Sequence, residues 1–433
     1  MPALPLRLSR LLGATLTDGS RVDVDLTGDT VTSVGPALPH ARPAAEDELD
    51  LTGFVLLTAP AEPHAHLDKA LSWDAIDPPM GDLDQAIASW RAYSTRMTSH
   101  EILDRARAAA LLMLGNGTTA VRSHVDLLEG PAPMRGVRAL VALRTELRGL
   151  MDLQLVALAA PDTPDHVVHE ALDLGVDLVG GAPHLAVEPL ADLNRLLAIA
   201  QERALGTDLH TDESLDGQQT LAHYARAVRE WPAGRIRSAG HCVRQGTLAG
   251  AELDATIAEV LAAELGVIAL PITNLYLQGW DHPVSTPRGL TALRAFLDAG
   301  VPVAAGADNV RDPFNPVGRA DALETASLLV TAGHLSLHEA YRAVSEAARS
   351  VLGLPPAGAV PGARADLLAV RGSGLGEVIA AAAADRYVIS GGVLVAQSAV
   401  VQHIAALATP APSSTPTSTR RERDLRTAGG EQP

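Results

Sequence analysis

The chain has 433 residues, 47% of them hydrophobic, a single cysteine and a formal net charge of −17. This length can bury a core of barrel size with a smaller unit beside it, and the acidic balance argues against a nucleic-acid or anionic-membrane surface, which needs a cationic face. The lone Cys242 allows no internal disulfide, and there is no apolar run of about 18 residues and no early segment with the pattern of a secretory signal, so we expect a cytoplasmic protein with a small-molecule ligand.

Residues 5–57 alternate in short β-like runs, and in "RVDVDLTGDTVTSVG" the pair Gly28-Asp29 sits like a hairpin loop. From about 58 to 350 short apolar runs alternate with amphipathic stretches such as 101–114, 136–150 and 190–204. Eight strand candidates follow in order: "FVLLTAPAEPHAH", "TTAVRSHVD", "DLQLVAL", "VDLVGGAP", "GTDLHTDES", "IRSAGHC", "LGVIALPITN" and "GVPVAAGADN". Residues 356–405 return to β texture in "GARADLLAV", "RYVISGGVLVAQ" and "AVVQHI". The tail from Thr409 to Pro433 is rich in Pro, Ser, Thr and Arg without apolar period, and is expected to be disordered. The fold class is therefore α/β: a (β/α)8 TIM barrel over 58–355, with a small β-sandwich domain formed from both chain ends, 1–57 and 356–405. A doubly wound sheet would alternate in the same way, so the placement of polar residues has to decide.

Those residues fall at strand ends. His64 and His66 close the first strand, His210 the fifth, His241 the sixth and Asp308 the eighth. Positions i and i+2 of a strand share a face, so His64 and His66 can grip one ion. Barrel enzymes carry their chemistry at the C-terminal ends of the strands, and imidazoles with a carboxylate suit a divalent transition ion such as zinc or iron. An isolated His-x-His pair is more often packing, but one joined by His and Asp from later strands reads as a metal site.

The segments "EPHAHLDK", "HTDES", "GHC" and "GADNVRDPF" resemble the amidohydrolase superfamily, and within it the cytosine deaminase group; "PITNLYLQG" and "GARADLLAV" extend the likeness over about 50–395. The resemblance implies that His64, His66, His210 and Asp308 hold the metal and that His241 stands beside the reacting water. It makes Glu213 the proton shuttle and Gln154 the amide that holds the base edge. Members with two metals bridge them with a lysine of strand 4; here that strand contains none, and Lys69 is the only lysine in the chain. One divalent ion per chain is expected, zinc or iron. Such an ion acidifies a water molecule, and Glu213, with His241 and Asp308, would manage the protons of a deamination.

Lys69 stands where cytosine deaminases carry threonine; together with "DNVRD" it resembles the isopropylammelide amidohydrolases, which lack a counterpart of Glu213. Lys69 is read either as a partner of Asp68 or as a contact to a carbonyl or anionic edge of substrate. Asn309 replaces a second aspartate and makes the pocket less negative than a cytosine pocket, so oxygen-richer rings are expected over cytosine. His124 is a pocket or supporting residue, His184 a lesser candidate, Cys242 a packing residue, and Gln278 and Trp280 belong to the rim. The leading function is hydrolytic deamination of a free, cytosine-like, pyrimidine or triazine heterocycle. Hydrolysis of a cyclic amide or alkylamino substituent, and a non-catalytic metal-binding barrel, are the alternatives. The partner is a small heterocyclic molecule, not nucleic acid or membrane, and a homo-oligomer is compatible with the sequence.

Overall fold

The computed structural model describes residues 4–38 and 44–404; the tail expected to be disordered lies outside the described residues. Eight strands run in chain order as β1 (Ala61–Ala65), β2 (Ala120–Asp126), β3 (Asp152–Ala159), β4 (Leu178–Gly181), β5 (Gly206–Thr211), β6 (Arg237–His241), β7 (Gly266–Ala269) and β8 (Val303–Ala305). Each pairs in parallel with the next. A single bridge between Ala65 and Asp308 joins the two ends of the sheet. The result is a (β/α)8 barrel. Its strands are buried on both faces, which is why they read as nearly continuous apolar runs instead of alternating ones.

Helices cover the barrel where the sequence has amphipathic stretches, and several start on side-chain caps. Thr98 accepts from the Glu101 amide at the head of Ser99–Gly115, and Ser336 forms a reciprocal capping box with Glu339 at the head of Leu337–Val344. Between β1 and Ser99–Gly115 the chain inserts two further helices, Trp73–Ile76 and Leu83–Ser94. The second begins on the side chain of Asp82 and buries Trp90 and Tyr93.

Strands from both chain ends make a second, nine-stranded sheet, a sandwich-like unit beside the barrel. Its seam is the antiparallel pairing of Phe54–Thr58 with Leu367–Arg371. Leu11, Val24, Val31, Leu56, Leu367 and Ile389 fill its core, and Phe54 meets Tyr387 edge-on with ring centres 5.1 Å apart. The Gly28-Asp29 turn joins Arg21–Thr27 to Thr30–Pro36 as the hairpin reading requires.

Three runs differ from their sequence reading. "FVLLTAPAEPHAH" is two strands, because Phe54–Thr58 pairs into the end-strand sheet before Pro60 breaks the run and β1 enters the barrel. "LGVIALPITN" is a strand only to Ala269; Pro271 then takes the first helical position of Pro271–Leu277, where its missing N–H costs nothing. "AVVQHI" is not a strand. The last strand ends at Ser398 because its partner begins at Arg386, directly opposite.

The inside of the barrel floor is polar and closely bonded. Arg122 of β2 is fully buried, and its guanidinium donates to Asp208 at 2.9 Å, to Ser238 at 2.9 Å, to the Val351 carbonyl at 3.0 Å and to the side-chain oxygen of Gln154 at 3.2 Å. Among the described residues, no helix is long and apolar enough to cross a membrane.

Candidate active site

The site is assembled from the C-terminal ends of the strands. His64 lies within β1 and His66 just beyond it, with their rings 5.5 Å apart on the same side of the strand. Gly240 of β6 makes room for the first: a Cβ there would come within 2.7 Å of the His64 ring. Glu62, two residues before His64, accepts from the amides of His64 and Ala307 at 3.1 and 2.7 Å, and so ties β1 to the chain leaving β8. Gly306 is small for the same reason, since its Cβ would meet a Glu62 oxygen at 2.0 Å. His241 and Asp308 both sit at positive φ, +67° and +61°, a left-handed backbone that non-glycine residues adopt at a cost of roughly 1–3 kcal/mol and that clusters at functional sites.

Four side chains converge. Nε2 of His210 lies 3.3 Å from Nε2 of His64 and 3.1 Å from Nε2 of His66, and Asp308 Oδ1 lies 3.1 Å from His66 Nε2 and 4.0 Å from His64 Nε2. Metal–nitrogen bonds of about 2.0–2.1 Å in a tetrahedral shell place ligand atoms roughly 3.3 Å apart, close to three of these four distances, with Asp308 to His64 the longer one. Both carboxylate oxygens of Asp308 are buried without a hydrogen bond among the described residues. His124 stands behind the cluster, its ring 4.0 Å from that of His64, and its Nε2 faces Asp208 at 3.6 Å.

Burial, reinforced by the neighbouring imidazoles, holds His66, His210 and His241 well below the usual histidine range. Neutral imidazoles such as those of His66 and His210 offer lone pairs, and imidazoles with a carboxylate are a donor set for a divalent transition ion. Burial drives the Asp308 carboxyl well above its usual value, with Glu213, Asp312 and Glu62 adding to the effect, so a cation is the partner that carboxylate lacks. Glu213 is buried as well, and burial pushes it up to about 8. Its Oε1 lies 3.3 Å from His241 Nδ1 and its Oε2 3.8 Å from His184 Nε2, while Gln278 donates to its backbone carbonyl at 2.7 Å. Asn274 contacts the same His241 Nδ1 at 3.0 Å, so Nε2 is the nitrogen left unbonded.

A cavity of about 650 Å³ opens over this cluster, reaching His66, His210, Glu213, His241 and Asp308. Lys69 and Asn309 lie on its wall. Lys69 pairs with Asp126 at 2.6 Å, ahead of Asp68 at 3.8 Å. The side-chain nitrogen of Asn309 gives one of its two N–H groups to Asp312 at 2.8 Å. Gln154 is a correction. It lies near the N-terminal end of β3, binding the Leu352 carbonyl at 2.9 Å and Arg122 on the barrel floor, and it is absent from the cavity wall. Where β3 does reach the cavity it presents Leu158, Ala159 and Ala160, with no side-chain amide.

Gln278 braces Glu213 from outside the cavity wall, and Trp280 donates to the Tyr276 carbonyl with its ring half exposed. Cys242 is buried packing. Asp126, Trp90 and Asn274 were not singled out in the sequence. Asp126 closes the strand run that was read for its histidine alone, whereas Trp90 comes from an inserted helix with no motif around it.

A model of the amidohydrolase family matches residues 91–396. A pterin deaminase from Rhizobium rhizogenes (strain K84 / ATCC BAA-868) is 30% identical over 391 residues, 87% of this chain and 88% of that protein. The crystal structure of N-isopropylammelide isopropylaminohydrolase from Burkholderia multivorans ATCC 17616 superposes with a TM-score of 0.75 at 28% identity, covering 90% of this chain and 99% of that one. That of 5-methylcytosine deaminase from Klebsiella pneumoniae with 5-fluorocytosine reaches a TM-score of 0.82 at 24% identity, over 92% and 99% of the two chains, a likeness of fold. The chain belongs to the amidohydrolase family, as a deaminase-like hydrolase of carbon–nitrogen bonds whose buried histidine–aspartate cluster takes a divalent metal.

Proposed function

We propose that the protein hydrolytically deaminates a free nitrogen heterocycle, releasing ammonia from an amino-bearing ring carbon, and that a pterin-type ring is the first substrate to try. The observation that carries this is Glu213: a buried carboxyl 3.3 Å from His241, beside the metal cluster on the cavity floor. A bare metal-binding barrel has no use for such a group. The pterin deaminase relative supplies the substrate class.

His64, His66, His210 and Asp308 would hold one ion per chain, zinc or iron, and a bound ion of this kind supplies a hydrolytic nucleophile by acidifying water. Glu213, protonated near neutrality because burial raises it to about 8, gives its proton to the ring nitrogen next to the reacting carbon. The resulting carboxylate then accepts a proton from the reacting water and passes it to the departing amine, which leaves as ammonia. His241 is fixed by Asn274 and turns Nε2 into the site, where it orients the reacting oxygen. Asn309 offers its side-chain oxygen to a ring N–H, and Lys69 offers a donor to the ring. Cytosine stays in this proposal as a poor substrate. The proposal takes 58–355 as the catalytic unit and 1–57 with 356–405 as the small β domain. It places the enzyme in the cytoplasm, with small molecules and not nucleic acid as its substrates; self-association is compatible with it.

The test is ammonia release from pterin, cytosine and aminated triazines by the metal-loaded protein. Release from none of them overturns the reading. A second reading, favoured by the isopropylammelide relatives at 24% and 28% identity, is separated by the same assay, because an N-alkylated triazine would then yield an alkylamine. Glu213→Gln should keep full metal content and lose roughly 10²- to 10⁴-fold in kcat, the range of a positioned acid-base group. Retention of more than about a tenth of the turnover would remove Glu213 from the proton path.

A further inference from the structure

Lys69 lies on the cavity wall beside the cluster and is held from three sides. Its Nζ donates to Asp126 Oδ1 at 2.6 Å, stands 3.8 Å from Asp68 and lies 5.2 Å from the centre of the Trp90 ring. The other oxygen of Asp126 accepts the Trp90 indole N–H at 2.6 Å, and the Asp126 amide donates to Asp68 at 2.9 Å. Lys69 and Trp90 are each 3% exposed. One carboxylate thus fixes both the ammonium and the indole that lies under it, and has no oxygen left for other work.

The arrangement decides what kind of group Lys69 can meet. Its charge is already matched by one carboxylate at bonding distance, with a second nearby, so the wall carries no net positive charge to attract an anion. An ammonium has three N–H donors in all. Asp126 takes one, His66 Nδ1 lies 3.4 Å from Nζ, and Lys69 lines the cavity, so one N–H is left for a ligand. We propose that Lys69 is the pocket's hydrogen-bond donor to a neutral ring carbonyl, and that Asp126 and Trp90 are positioning residues that hold it there. This rests on the deaminase reading, and it selects rings with an uncharged carbonyl on the edge that faces β1 and β2.

The test uses two rings, pterin and 2-aminopteridine, which lacks the ring carbonyl. Dissociation constants are measured by titration calorimetry on metal-loaded protein carrying Glu213→Gln, so that neither ring is consumed. The carbonyl should tighten binding by roughly tenfold or more, as expected of a hydrogen bond to a charged group, and Lys69→Met should abolish the difference. Asp126→Asn and Trp90→Phe should shrink it. Trp90→Phe keeps an aromatic face and removes the indole donor with part of the ring, so it stands as the informative variant if Asp126→Asn does not fold. In the otherwise wild-type enzyme, Trp90→Phe should raise KM for pterin and hold kcat within about twofold, a split that general loosening of the fold would not give. Metal content and Tm are followed for each variant.

An equal loss of affinity for both rings in Lys69→Met overturns the donor role. A wild-type KM in Trp90→Phe overturns the positioning role. If the carbonyl effect appears in binding but the otherwise wild-type enzyme releases no ammonia from pterin, cytosine or an aminated triazine, the deaminase reading fails and the donor assignment stands. Binding of neither ring overturns the donor assignment and the choice of a pterin-type ring.

Discussion

Two buried polar clusters occupy the same barrel, one at each end, and they differ in how far their atoms are satisfied. On the floor, Nε and both Nη atoms of Arg122 donate, the Gln154 amide that receives one of these bonds donates in turn to Leu352, and Asp208 Oδ1 alone of this group is left without a bond among the described residues. At the mouth, both oxygens of Asp308, Nδ1 of His210 and Nε2 of His241 are buried with no hydrogen bond among the described residues. Each buried polar atom left in that state costs about 1–3 kcal/mol. A fold tolerates such a cost where a ligand or ion completes the bonding, so the floor reads as structure and the mouth as function.

Metal withdrawal should break the comparison most visibly. Chelation, or His66→Ala, should lower kcat by on the order of a hundredfold or more, since a catalytic ion contributes several kcal/mol to the transition state. The metal-free His66→Ala protein should nevertheless unfold at or above the Tm of metal-free wild type, because the mouth cluster without its ion stabilises little. Elemental analysis and calorimetry on the same samples check both halves. A metal-free wild type much more stable than metal-free His66→Ala would mean that the mouth, like the floor, is a structural network.

The floor should respond in the opposite sense. Arg122→Met leaves Asp208 buried without its cation, and breaking a buried pair from one side costs about 3–5 kcal/mol. Urea unfolding should show that loss, with the metal content of the surviving folded protein unchanged. A loss below about 1 kcal/mol would show that the floor network is dispensable.

Much of the mouth was legible in the sequence, because its signal is local. His64 and His66 are two apart at the end of one strand, and His210 and Asp308 each stand at the end of an apolar run of their own. Position along a strand was less legible. In β3, residues 154 and 158 share a side, yet lie about 13 Å apart along the strand, so Gln154 belongs to the floor and Leu158 to the cavity. Nothing in "DLQLVAL" marks which end carries chemistry. Contacts between distant segments were not legible at all: Asp68 is the neighbour of Lys69 in sequence, but Asp126, 57 residues away, is its bonded partner. The third side of that lysine comes from Trp90 on an inserted helix, Leu83–Ser94, which the alternation of strands and helices does not require. Asn309 shows the same limit, since the partner of one of its N–H donors, Asp312, is set by the local turn and not by the motif.

The smallest effect is expected from Gln154, and it separates the two ends of the barrel most sharply. If Gln154 held the edge of the base, Gln154→Leu would leave a substrate group unpaired and cost a large factor in kcat/KM. Its position on the floor predicts something else. Leucine has similar bulk, but it deprives Arg122 Nε of its acceptor and the Leu352 carbonyl of its donor. Arg122 keeps its bonds to Asp208, Ser238 and Val351, so the charge remains compensated. The loss should therefore be about 1–3 kcal/mol of stability, the cost of unsatisfied buried groups, with kcat/KM within about twofold of wild type. Chemical denaturation and steady-state kinetics on one preparation decide the matter: a fall in kcat/KM beyond roughly tenfold at unchanged stability would return Gln154 to the substrate and place the functional boundary of the barrel lower than the cavity indicates.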